Sequence, residues 1–174
     1  DPFGRIIGFV FTKDMGFEVS DKKPTVLLTP EHISQSINAQ LLREGHVYPI
    51  FYNALYPDLR KTLSDIAVEA RSQSLGLWKH HQVEFQFDRK PDLEELETLV
   101  MMPKLFRRLS THIAQNGAIS NFREYLRNTN DMTVDTREVR LSDFSSFVRT
   151  KKLSSERYQL WLSHQPEMLV FLKG

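Results

Sequence analysis

Apolar positions along the chain follow two periods, and the switches between them predict its elements. Residues 5 to 12, Arg-Ile-Ile-Gly-Phe-Val-Phe-Thr, are β-branched and aromatic on both faces, which predicts a buried strand. Lys13 to Gly16 is a turn candidate, and Thr25 to Thr29 predicts a short strand between Pro24 and Pro30. Ser36 is placed to cap a helix from Ile37 to Glu44 that Gly45 ends. His46 to Tyr52 predicts a second aromatic-rich strand. The period then becomes helical: Leu59, Leu63, Ile66, Ala67 and Ala70 share one face, with Asp58 as the N-cap candidate and Gly76 as the stop. Leu77 and Trp78 follow as apolar anchors.

Residues 79 to 91 are polar and mixed, with a short alternation from Val83 to Phe87, and predict a domain boundary. Beyond it, Asp92 and Glu95 have capping-box spacing ahead of Leu93, Leu96, Leu99 and Val100. Pro103 interrupts that helix. Leu105, Phe106, Leu109 and Ile113 predict another to Gln115, closed by Asn116-Gly117, and Ser120 to Arg127 a short third. Strands are predicted at Val139 to Leu141, Tyr158 to Leu162 and Met168 to Leu172. Residues 92 to 174 read as a small α+β domain.

Composition changes the picture in three places. The chain has no cysteine, which excludes disulfides, thiolate metal sites and cysteine nucleophiles. No apolar run approaches the roughly 20 residues that cross a bilayer, so no membrane partner is expected. The net charge of the 174 residues is +1, yet residues 98 to 157 carry eleven Lys/Arg against six Asp/Glu. Lys104, Arg107 and Arg108 form one cluster, and Arg149, Lys151 and Lys152 another. Such clusters attract phosphates without sequence preference, although a solvated positive face is their commoner meaning. The interleaved aromatics Phe144, Phe147, Tyr158 and Trp161 fit core spacing at least as well as base stacking. The six histidines show no metal spacing and read as surface residues.

Four features in order resemble the staphylococcal-nuclease-like, or thermonuclease, family. They are Asp1-Pro2-Phe3-Gly4-Arg5 before an apolar strand; Ile37-Asn38, Leu41-Leu42 and Gly45; the aromatic strand after Gly45; and the helix from Leu59 to a Leu-Gly-Leu-Trp ending at Trp78. They cover residues 1 to 79, and match the C-terminal half of such a domain only. The opening residues run straight into the first strand, and the expectation is that natural sequence precedes them.

The resemblance implies a partial OB-type β-barrel with packed helices, so the fold class expected for the whole chain is α+β. It implies a calcium-dependent hydrolase of DNA and RNA phosphodiesters. Arg5 aligns with one of two family arginines that stabilise the equatorial oxygens of the transition state, a task suited to a guanidinium fork; a structural arginine at a strand start is the alternative. The family's other arginine, its calcium carboxylates and its general base have no counterpart in this chain. Calcium is thus implied for the intact parent, and this chain alone supports no metal or cofactor. Phe51, Tyr52 and Tyr56 stand where the family places aromatics near the substrate base, with core packing for Phe51 and surface-turn roles for the others as the plainer reading. With Lys104, Arg107 and Arg108 they make up the expected substrate-binding set, and nucleic acid is the expected partner. An open barrel edge would need a missing N-terminal segment or a partner chain to cover it. The alternative function is a non-catalytic OB-type module binding nucleic acid or protein.

Overall fold

A computed structural model describes residues 8–17, 22, 25–136 and 140–172. Its elements, in order, are α1 (Pro30–Ser34), α2 (Ile37–Arg43), β1 (Phe51–Tyr52), α3 (Pro57–Ser72), β2 (Glu84–Asp88), α4 (Leu93–Glu97), α5 (Pro103–Ala114), α6 (Phe122–Asn128), β3 (Met132–Asp135), β4 (Arg140–Asp143), β5 (Val148–Lys152), β6 (Arg157–Leu162) and β7 (Leu169–Phe171). The chain is α+β, with two small sheets, neither of which closes on itself among the described residues. It divides into two compact units. One holds the residues up to Pro49 together with Leu55–Trp78; the other holds Ile50–Ala54 and everything from Lys79 onward.

The first unit is helical. Ser36 caps α2, accepting from Ala39 N at 3.1 Å and donating to Ile33 O at 2.6 Å. In α3 the sequence misplaces the cap. Pro57, whose ring fixes a helical φ, is the first helical residue, so Asp58 lies inside the first turn, where the helix dipole favours a carboxylate. Leu59, Leu63, Ala67 and Ala70 are buried along one face as their spacing requires, each leucine stabilising the unit by about 1.5–3 kcal/mol.

The ends of α2 and α3 meet at two glycines, Gly45 (φ 71°) and Gly76 (φ 51°). Leu77 N donates to Gly45 O at 2.8 Å. A Cβ on Gly45 would stand 2.3 Å from the Leu75 carbonyl oxygen, and one on Gly76 would stand 2.2 Å from the Gly45 carbonyl oxygen. Only glycine permits both the left-handed backbone and this approach.

The predicted early strands are not formed where they are described. Residues 8–12 and 25–29 join no ladder, and Val10 and Leu27 are 60% and 76% exposed. Of His46 to Tyr52, only Phe51 and Tyr52 are strand. An apolar run becomes a strand only where a neighbouring strand takes its N–H and C=O groups. Residues 8–10 are instead strapped to the start of α2. Val10 N donates to Asn38 Oδ1 at 3.0 Å, Asn38 Nδ2 to Gly8 O at 3.5 Å and Ile37 N to Val10 O at 2.8 Å.

The second unit contains both sheets. One has the order β1-β7-β3-β4, with β1 parallel to β7 and the other pairs antiparallel. The second is antiparallel, in the order β2-β6-β5. β3 and β5 were not predicted. Asp92 caps α4 by accepting from Glu95 N at 2.8 Å; the helix ends at Glu97, and Pro103 opens α5 rather than interrupting a helix. Phe87, Leu96, Met102, Leu105, Leu109, Phe122, Phe144, Leu160 and Phe171 form the centre of the core. His112 is buried, not a surface histidine. Its Nε2 lies 3.0 Å from Ala118 O and 3.1 Å from Asn121 Oδ1, and the glycine at 117 leaves room for its ring.

Candidate nucleic-acid interface

Arg5, the expected phosphate contact, lies outside the described residues. The first described residues after it, Gly8 and Val10, are fixed to Asn38.

The other expected residues separate. Phe51 is 3% exposed on β1, opposite Val170. It packs in the core, the plainer of its two sequence readings. Tyr52 is 37% exposed, with its ring 6.4 Å from that of Phe171. Tyr56 is 64% exposed at the start of α3. Tyr52 belongs to the second unit and Tyr56 to the first.

The cluster on α5 is largely spent on the protein itself. Lys104 is 7% exposed, with Nζ 2.6 Å from Asp131 Oδ1 and 4.8 Å above the Phe171 ring. Arg108 donates through Nε to Asp131 Oδ2, which also accepts from Thr129 Oγ1 at 3.3 Å. Burial drives Lys104 below the usual lysine range even though Asp131 opposes the shift. Burial acts to raise Asp131, but the hydrogen bonds and charges of Arg108 and Lys104 outweigh it and hold the carboxyl below the usual carboxylate range. The hydrogen bond that Arg108 donates to Asp131 raises Arg108 above its usual range. Lys104 and Arg108 are thus both paired to one carboxylate, and Arg107 alone of the three is exposed.

A second polar chain joins distant residues that sequence reading had no means to connect. Asp135 is 2% exposed, and its Oδ2 lies 2.9 Å from His164 Nε2. His164 Nδ1 lies 2.8 Å from Ser163 Oγ, which also reaches Phe147 O at 3.2 Å. The ring edge packs on Phe147 at 5.1 Å. The order of groups resembles a hydrolytic triad, but the two imidazole nitrogens have exchanged partners, and the serine neighbours the histidine in the chain. The arrangement holds the turn between β6 and β7 to β3.

Among the described residues no three His, Asp or Glu side chains are grouped so as to hold a metal ion. No helix among them is long and apolar enough to cross a membrane. Comparison of the chain with protein-family models, with curated proteins and with solved structures found no match.

Proposed function

We propose that this chain is the phosphate-contacting, helical part of a nuclease-like phosphodiester hydrolase acting on DNA or RNA, related to an OB-type barrel. One observation carries the reading: segments that resemble the family in sequence are joined to one another by backbone-level bonds. The stretch after Arg5 is tied to Asn38 of α2. The Gly45 that ends α2 is locked to the Leu75-Gly76-Leu77 turn that ends α3.

In this reading Arg5 places a guanidinium fork against the equatorial phosphate oxygens, where charge develops in the transition state. Metal ligands and a general base would have to lie outside the described residues. The test is cleavage of single- and double-stranded DNA by the full natural protein, with calcium and with chelator. Arg5→Ala is expected to lower the calcium-dependent rate by about 10²–10³-fold, the usual cost of losing one transition-state donor. Wild-type rates in Arg5→Ala, or calcium-dependent cleavage by residues 1–174 alone, would overturn the reading. Binding by the full protein without cleavage would favour the non-catalytic module instead.

A further inference from the structure

The three-stranded sheet sorts the aromatics of the second unit into two classes. Along β6, Tyr158, Leu160 and Leu162 turn to the core, and Arg157, Gln159 and Trp161 alternate onto the opposite face. Phe144 and Phe147 are buried. Trp161 is partly exposed and stands outside that core.

The register shows what surrounds it. Trp161 pairs with Arg149 on β5 and Glu84 on β2, and Gln159 pairs with Lys151 on β5 and Gln86 on β2. Direct cross-strand neighbours have Cβ atoms about 4.5–5.5 Å apart and diagonal ones about 7–8 Å, so on the outer strand Arg149 stands beside the indole and Lys151 stands diagonal to it. The carboxylates on β2 differ: Asp88 pairs with Arg157 at 3.0 Å, while Glu84, across from Trp161, accepts from the neutral Gln159 amide and keeps its charge, on the side of the indole away from β5. No carboxylate among the described residues pairs with Lys151. Arg149 donates through its guanidinium Nη1 to the carbonyls of Ser146 and Val148, which fixes the head beside the strand, and no carboxylate among the described residues pairs with it.

We infer that the outer face of β5 and β6 binds single-stranded nucleic acid, with Trp161 as a base-stacking platform and Arg149 and Lys151 holding the phosphates beside it. An aromatic ring on an open antiparallel face with cations one strand over is the chemistry this polymer requires, because every base has a π-face and every linkage a charge. The amides of Gln159 and Gln86 add hydrogen-bonding groups on the same rows. The inference deepens the reading above by giving the second unit a share of the same substrate, but it does not depend on Arg5.

The test is fluorescence anisotropy of a labelled oligothymidylate, longer than the roughly 4–16 nucleotides that a single OB fold covers, titrated with the full chain in chelator. Salt-dependent binding is expected. Trp161→Ala should weaken it by about 5- to 150-fold, as loss of one stacking partner does, while Trp161→Phe retains most of the affinity and shows that the fold survives. Lys151→Gln should reduce the slope of log affinity against log salt by about 0.7. Absence of binding at low salt, wild-type affinity in Trp161→Ala, equal affinity for a duplex, or equal competition by polyglutamate would each overturn it. Loss of cleavage in Arg5→Ala with unchanged affinity in Trp161→Ala sinks this inference alone. Weakened binding in Trp161→Ala with full cleavage in Arg5→Ala sinks the catalytic reading alone.

Discussion

On α5, Lys104 and Arg108 stand one turn apart and both turn inward to Asp131. On β5, Arg149 and Lys151 stand two residues apart and both lie on the outer face of the sheet. In sequence the two basic clusters look alike. A helix places residues four apart on one face, and here that face meets a carboxylate from the turn before β3. A strand places residues two apart on one face, and here the carboxylates of β2 lie on the far side of β6 from it. Whether a run of cations reaches a ligand depends on where the counter-charges fold to, which a count of charges along the chain does not record.

The sharpest way to break the contrast is Asp131→Asn. It leaves Lys104, 7% exposed, without its anion. Removing one partner of a buried pair costs about 3–5 kcal/mol, and urea unfolding should show a loss of that size. A loss below about 1 kcal/mol, the ordinary worth of a surface pair, would mean that Asp131 is not what holds the cations in.

Acid should produce the same effect more gently. The carboxyl of Asp131 lies below its usual range in the folded protein. Its contribution is therefore fully present above the unfolded value, about 3.9, and is lost as pH falls through the folded value. Urea titrations at neutral and at low pH should show a larger acid loss in wild type than in Asp131→Asn. Equal losses would remove Asp131 from the account. Lys104 acts in the opposite sense: its folded value is depressed, so the unfolded chain binds this proton more tightly, and this group favours folding more as pH rises toward about 10.4.

The smallest effects sharpen the contrast from the other side. Arg107→Ala, on the exposed face of α5, should change unfolding free energy by no more than about 0.5 kcal/mol, and so should Lys151→Gln. A larger change at Lys151 would show that its charge is also used within the fold.

The sequence made much of the helical framework legible. Ser36, Asp92 and the apolar face of α3 act through bonds and spacings within a few residues, so local pattern suffices to find them. β3 and β5 were hidden for a physical reason. Met-Thr-Val-Asp is too short to show alternation, and Val-Arg-Thr-Lys-Lys reads as charge; both are strands because β7 and β6 lie beside them. The converse error at residues 8–12 and 25–29 has the same cause, since apolar residues there lack a ladder to join. The site was less legible than the fold. Phe51 looks no different from Tyr52 until its pairing with β7 buries it, and Lys104 looks like a ligand until Asp131 arrives from 27 residues away.

The pairing of Phe51 with Val170 also sets an order of events during synthesis. A chain emerges at about 5–20 residues per second, and β1 leaves the ribosome long before its partner strand exists. Until Leu169–Phe171 appear, Ile50–Ala54 is an unclaimed apolar segment between two stretches of a unit that can already begin to fold. A nascent chain stalled before residue 169 should thus present this segment to chaperones and proteases, and a chain released after it should not.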